Sequence, residues 1–102
     1  MVFDKKFSNV ERINLLERWI LFHSYVYYEK NDNIVSDSVY DKNAHTLAVA
    51  INKYPRSFLR SRYKKFFEDY DGNTGMDLVE KIKKSNKLVD LLEFDYNMNK
   101  NF

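Results

Sequence analysis

Glycine and proline are nearly absent: the 102 residues hold two glycines, Gly72 and Gly75, and one proline, Pro55. These residues punctuate helices and supply most tight turns, so a chain this poor in them is expected to run in long helical segments. No stretch sustains the period-two alternation of a half-buried strand, whereas apolar spacings of three and four recur. The expectation is an all-α fold, a small single domain of four to five helices. An apolar content of 44%, with 17% aromatic residues, supplies a core for such a domain and is unlike the aromatic-poor composition of disordered chains.

From Val10 to Tyr28 the positions Ile13, Leu16, Trp19, Ile20, His23 and Tyr27 follow helical spacing, with Ser8 and Glu11 placed as a capping box. Glu29 to Asn33 is polar and turn-forming, and Ser36 is placed to cap a second helix with Val39, Tyr40, Ala44, Leu47, Ala48 and Ile51 on one side. Pro55 disfavours helical geometry at Tyr54 and ends it. A third segment, residues 58–68, is aromatic and basic. The turn Asp71-Gly72-Asn73-Thr74-Gly75 then leads into a fourth helix from Met76 to Lys84. Ser85 or Asn86 caps a last helix carrying Leu88, Val89, Leu91, Leu92 and Phe94, and residues 97–102 are expected to form a frayed tail.

Several function classes drop out on composition. With no cysteine, disulfides, thiolate metal sites and thiol chemistry are excluded. The apolar run from Trp19 to Tyr28 is about half of the ~20 residues that span a bilayer, and the charged start MVFDKKFSN lacks the apolar stretch of a signal peptide, so the expected location is cytoplasmic, with no membrane partner. A net charge of +2 does not by itself announce a nucleic-acid binder. His23 and His45 lie on different expected helices without a third nitrogen or sulfur ligand, which argues against zinc.

One constellation carries chemistry. If a helix starts near Ser36, then Asp37, Tyr40 and Asp41 fall at i, i+3 and i+4, placing two carboxylates and a phenol on one face of its first turn. A short loop brings that face beside Tyr27 and Tyr28. The product is an aromatic cage edged with acids, suited to a flat, cationic or hydroxyl-rich ligand. The bland alternative is that the tyrosines are half-buried core and Asp37 merely favours a helix N-terminus.

The pattern Tyr27-Tyr28, a short loop, then Asp37-Ser-Val-Tyr40-Asp41 resembles the N-terminal Ia domain of bacterial NAD-dependent DNA ligases, over about Leu16 to Pro55. The resemblance implies a helical hairpin that grips the nicotinamide mononucleotide half of NAD. It assigns the ring-packing role to the aromatic residues Tyr27, Tyr28 and Tyr40, and bonds to the amide and ribose to Asp37 and Asp41. The chain departs from that family in lacking a loop proline, in carrying Val39 where the family has Glu, and in Asn43, Ala44 and His45. The family's Lys-x-Asp-Gly nucleophile motif is also missing, since the one Asp-Gly is preceded by Asp69-Tyr70. The resemblance therefore implies a stand-alone, non-catalytic relative with no catalytic residue of its own. It would bind a nicotinamide nucleotide or a ligase-like or nucleic-acid-processing partner.

Two further classes stay open. An interaction protein, inhibiting a host or defence factor without binding nucleotide, suits a small chain whose richness in Lys, Asn, Tyr, Phe and Ile points to an AT-rich phage or other mobile element. Nucleic-acid or phosphate contact suits Lys53, Arg56, Arg60, Arg62, Lys64 and Lys65, which alternate with Tyr54, Phe58, Tyr63, Phe66 and Phe67. Asp69, Asp71, Asn73, Asp77 and Glu80 fall at calcium-loop positions, but the glycine needed for the sharp turn comes one place late, at Gly75, so no metal is assigned.

Overall fold

The computed structural model describes residues 7–72 and 75–100, the side chains of residues 99 and 100 excepted. It is all-α. The helices are α1 (Asn9–Glu29), α2 (Asp37–Lys53), α3 (Pro55–Leu59), α4 (Met76–Lys83) and α5 (Asn86–Lys100), with one 3-10 turn at Lys64–Phe66. No strand occurs among the described residues. Helix α1 is the hub, packing against each of the other four. The radius of gyration, 13.2 Å, matches the ~13 Å of a folded chain of this length.

Helix α1 begins at the capping box: the Glu11 N–H donates to Ser8 Oγ and the Ser8 N–H to Glu11 Oε1, both at 3.2 Å. Its buried stripe of Ile13, Leu16, Ile20 and Leu21 meets Ala44 and Leu47 of α2, Phe66 and Phe67, Leu78 and Ile82 of α4, and Leu88 and Leu92 of α5. On α2 the buried side is Ala44, Leu47 and Ala48 with Tyr40 and Ile51 partly covered, while Val39 is 44% exposed. Val39 therefore does not share the apolar side expected of it. It lies one residue, about 100° of helical rotation, away from Tyr40.

The turn before α4 closes on α2. Gly72 has φ +86°, a left-handed conformation that suits glycine, and a Cβ there would lie 3.3 Å from the Ala44 carbonyl oxygen and 3.5 Å from Ala48 Cβ. Small residues at 44 and 48 thus let the turn approach the helix. Asn73 and Thr74 lie outside the described residues.

The aromatic and basic third segment is not one continuous element. After Pro55 sets the first turn of α3, the chain leaves helical geometry to reach α1: Ser61 Oγ donates to Glu17 Oε2 (2.9 Å), the Tyr63 N–H to Glu17 Oε1 (3.3 Å) and the Arg62 N–H to Asn14 Oδ1 (2.7 Å). Glu17 has no exposed surface, and its burial, eased by the bonds from Ser61 and Tyr63, raises its pKa to about 7. Arg18 donates to the Tyr63 hydroxyl at 3.3 Å and pairs with Asp95 of α5. Helix α5 also runs further than expected, to Lys100, because Tyr96 is buried and donates to Asp32 Oδ2 at 3.0 Å. Residues 97–100 of the expected tail belong to α5 in this structure, and residues 101 and 102 lie outside the described residues. Among the described residues no helix is long and apolar enough to cross a membrane.

A candidate ligand-binding cavity

The end of α1, the loop 30–36, the first turn of α2 and Gly75 at the head of α4 enclose a cavity of about 270 Å³. Tyr27, Tyr28, Asp37, Tyr40 and Asp41 all line it, joined by His23, Ser24, Asp32 and Ile34. The local cause lies in two helix ends. Ser36, extended at φ −68° and ψ 155°, accepts from the Val39 N–H at 3.3 Å, which starts α2 where Asp37, Tyr40 and Asp41 share one face. At the other end the Lys30 and Asp32 N–H groups both donate to the Val26 carbonyl, at 3.1 and 3.3 Å, around Asn31 at φ +50°. That left-handed step turns the chain just after Tyr28.

Tyr27 and Tyr28 meet edge to face, ring centres 4.9 Å apart, and are 49% and 40% exposed. They form an open wall rather than core. Tyr40 is deeper, and its hydroxyl shares a hydrogen bond of 2.7 Å with Ser24 Oγ, Ser24 being almost fully buried. Burial raises the Tyr40 pKa; the Ser24 bond opposes that, while the neighbouring Tyr28 and Asp41 add to it. Gly75 closes the cavity beneath this pair, since a Cβ there would sit 2.8 Å from both hydroxyl oxygens. Tyr70, also pushed up by burial, feels Tyr40, Asp71 and Asp41.

His23 stacks obliquely on Trp19, ring centres 4.2 Å apart, and meets Phe22 edge-on at 5.1 Å. Burial pushes its imidazole down to about 4, so it is neutral at pH 7. The loop is anchored through Asp32, whose Oδ1 accepts from the Asn33 N–H at 2.8 Å while Oδ2 takes the Tyr96 hydroxyl. Lys30, Lys83 and Arg18 pair with Glu93, Glu29 and Asp95, none of which lines the cavity. Asp37 and Asp41 stand in no ion pair among the described residues.

The arrangement offers phenol faces, free carboxylates and a fixed hydroxyl pair, which is chemistry for binding. Ser24, Gly75, Asp32 and Ile34 were not singled out in the sequence. Gly75 comes from an element remote from the loop, whereas Ser24 stands three and four residues before Tyr27 and Tyr28 on the same helix, a helical spacing that could have pointed to it.

The other sequence candidates are distributed differently. Lys53, Arg56, Arg60, Arg62, Lys64 and Lys65 are all exposed, spread over α2, α3 and the turns after it. The aromatic residues between them turn inward: Phe66 and Phe67 are core, and Tyr54, Phe58 and Tyr63 are partly covered. Lys53 and Lys65 cover the rings of Tyr54 and Phe66, at 5.5 and 5.2 Å. The segment therefore presents its cations outward, with Tyr54, Phe58 and Tyr63 partly exposed between them and Phe66 and Phe67 in the core. Asp69, Asp71, Asp77 and Glu80 line a second hollow, of about 380 Å³, together with Lys81 and Lys84; Asn73 lies outside the described residues. Among the described residues no group of three or more His, Cys, Asp or Glu side chains is placed to hold a metal. His45 is exposed on α2.

Compared with known protein families, curated proteins and solved structures, the chain gives no match to a family model, to a curated protein or to a solved structure.

Proposed function

We propose that this protein binds a nicotinamide nucleotide, holding the nicotinamide ring and its ribose in the cavity between α1 and α2 without transforming them. The observation that carries this reading is that Tyr27, Tyr28, Asp37, Tyr40 and Asp41 line one concavity. Tyr27, Tyr28 and Tyr40 supply ring faces, and Asp37 and Asp41 supply acceptors for the ring carboxamide and the ribose hydroxyls. At about 270 Å³ the cavity lies just under the ~300 to 1,000 Å³ of drug-sized sites. That suits one heterocycle and part of a sugar, so the adenylate half of NAD would project beyond it, into solvent or against a partner such as a ligase-like enzyme. The absence of the Lys-x-Asp-Gly motif keeps the reading non-catalytic.

Titration calorimetry with nicotinamide mononucleotide, followed by NAD, tests this. Saturable binding is expected, and it is lost in Tyr27→Ala and in Asp41→Ala while the far-ultraviolet circular dichroism is unchanged. Equal affinity in the parent and both variants would remove the assignment.

One observation favours a second reading. Tyr27, Tyr28 and Ile34, the last 48% exposed, leave apolar surface at the mouth of the cavity. An interaction protein directed at a host or defence factor would use that mouth as a contact surface. A complex whose assembly ignores added nucleotide would favour it.

A further inference from the structure

Charge is spread unevenly along the chain. Residues 53–67 hold six cations, Lys53, Arg56, Arg60, Arg62, Lys64 and Lys65, and no acid, so against a net charge of +2 for the whole chain the other residues carry a net −4. The run ends at Glu68 and Asp69. All six cations are exposed, and none lines either hollow. The three ion pairs of the described residues are built from other cations, on Arg18, Lys30 and Lys83. Like charges set this close repel one another, and the described residues give them no ion-pair partner. An external polyanion would supply one.

The segment is also tied down. Ser61 Oγ and the Tyr63 N–H donate to Glu17 and the Arg62 N–H to Asn14, so α1 holds the bend without using any of the cationic groups. Tight turns, closed by the Arg60 N–H on the Ser57 carbonyl, the Ser61 N–H on Phe58 and the Phe66 N–H on Tyr63, keep the chain path short and gather the charges instead of stringing them along an arm. Lys53 and Lys65 are steadied over the rings of Tyr54 and Phe66. Between the cations Phe58 and Tyr63 are partly exposed and Leu59 is 61% exposed. A surface ordered in advance loses little freedom when it binds. We infer that this segment is a binding surface for single-stranded nucleic acid, with phosphates against Arg56, Arg60, Arg62 and the neighbouring lysines and unpaired bases against Phe58, Leu59 and Tyr63.

The apolar groups among the cations select the single strand. A duplex keeps its bases stacked inside and would leave Leu59 and the rings idle, and α3, five residues long, is too short to serve as a reading helix in a major groove. An interfacial membrane helix presents a continuous apolar face, whereas Phe66 and Phe67 are spent in the core. A single strand uses both kinds of surface, its backbone following the cations while its bases rest on flat apolar groups without regard to sequence. The inference does not depend on what occupies the cavity between α1 and α2.

The test is fluorescence anisotropy of the full chain with a labelled oligothymidylate of about 20 nucleotides, long enough to cover a site of this kind. Affinity is expected to fall at least about 50-fold between 50 and 200 mM salt, as counterions leave four or more phosphates. Arg60→Gln with Arg62→Gln removes two exposed charges and keeps the Arg62 N–H bond to Asn14, and it should weaken binding about tenfold. Lys64→Gln with Lys65→Gln should act in the same direction. Lys84→Gln with Lys87→Gln makes the same change of net charge on exposed residues elsewhere and should leave affinity within about twofold. Circular dichroism checks that each variant is folded. The same strand annealed to its complement is the denser polyanion, yet it is expected to bind several-fold more weakly, and vesicles containing phosphatidylserine are expected not to bind. Silence from the oligonucleotide at 50 mM salt, an affinity indifferent to salt, or equal losses in all three paired variants overturns the inference. So does a duplex or a vesicle bound as tightly as the single strand, which would leave charge alone, or a membrane, as what the segment recognises.

Discussion

A carboxylic acid with no accessible surface sits in a position to take up a proton, and Glu17 shows the consequence. Burial raises its pKa to about 7 against an ordinary 4.5, and the bonds from Ser61 and Tyr63 recover only part of the cost of the charge. Because the folded pKa lies above the unfolded one, the protonated fold is favoured. This contribution is complete below about pH 4.5 and is lost as pH rises through 7. His23 works in the opposite direction. Its folded pKa of about 4 lies below the ordinary 6.5, so its contribution is complete above 6.5 and is lost as pH falls towards 4. Each effect amounts to at most about 3 kcal/mol. Between pH 4.5 and 6.5 they oppose one another, so the parent's stability varies little there. Glu17→Gln keeps an acceptor for Ser61 and removes the titration. Urea unfolding of that variant is expected to show stability falling steadily on acidification below pH 6.5, and a profile as flat as the parent's would contradict the assignment.

The elements show how two helix ends make a cavity. Ser36 fixes where α2 starts, and thereby which side Asp37, Tyr40 and Asp41 face. Ser36→Ala removes the acceptor for the Val39 N–H and is expected to cost about 1 kcal/mol of stability. It should also weaken cavity ligands, because the first turn that carries the acids frays. Thermal unfolding measures the first effect and titration calorimetry with nicotinamide mononucleotide the second; a stability loss with ligand affinity unchanged would show that the first turn holds its place without the cap. This much was legible in the sequence: the caps at Ser8 and Ser36 are local signals, and the i, i+3, i+4 spacing put the acids and Tyr40 on one face of α2. The bend after α3 was not legible, because it depends on Glu17, Asn14 and Arg18, more than forty positions away along the chain. Gly75 was hidden because it reaches Tyr40 only through the fold, and Ser24, although on the same helix face as Tyr27 and Tyr28, gains its role only from a partner on α2. Their meeting at Tyr40 is a tertiary event that no periodicity records.

In the whole molecule, core and cavity are largely separate sets of side chains. The core centres on α1 and draws Leu47, Phe67, Ile82 and Leu92 to within 1% of complete burial, whereas Tyr27, Tyr28, Asp37 and Asp41 are exposed. Binding and folding are therefore expected to respond to different substitutions. Leu47→Ala leaves a void in the core cluster that Leu47 shares with Ile20 and Ala44 and should cost about 2 to 5 kcal/mol. That is a large fraction of the ~5 to 15 kcal/mol that holds a domain of this size together. Tyr27→Ala and Asp41→Ala remove exposed groups and should stay within about 0.5 kcal/mol of the parent. Val26 and Tyr40 belong to both sets: Val26 is a core residue that lines the cavity, and the Tyr40 ring packs against the core while its hydroxyl bonds Ser24 at the cavity floor. Tyr40→Phe keeps the ring and leaves Ser24 Oγ without that partner in a buried place, so it should lose roughly 1 kcal/mol of stability together with ligand affinity. Denaturant midpoints and ligand affinities measured across these four variants would place Leu47→Ala on the stability axis, Tyr27→Ala and Asp41→Ala on the affinity axis, and Tyr40→Phe between them. If the exposed pair instead lost stability in proportion to affinity, the cavity would be a part of the core and its side chains would be explained by folding alone.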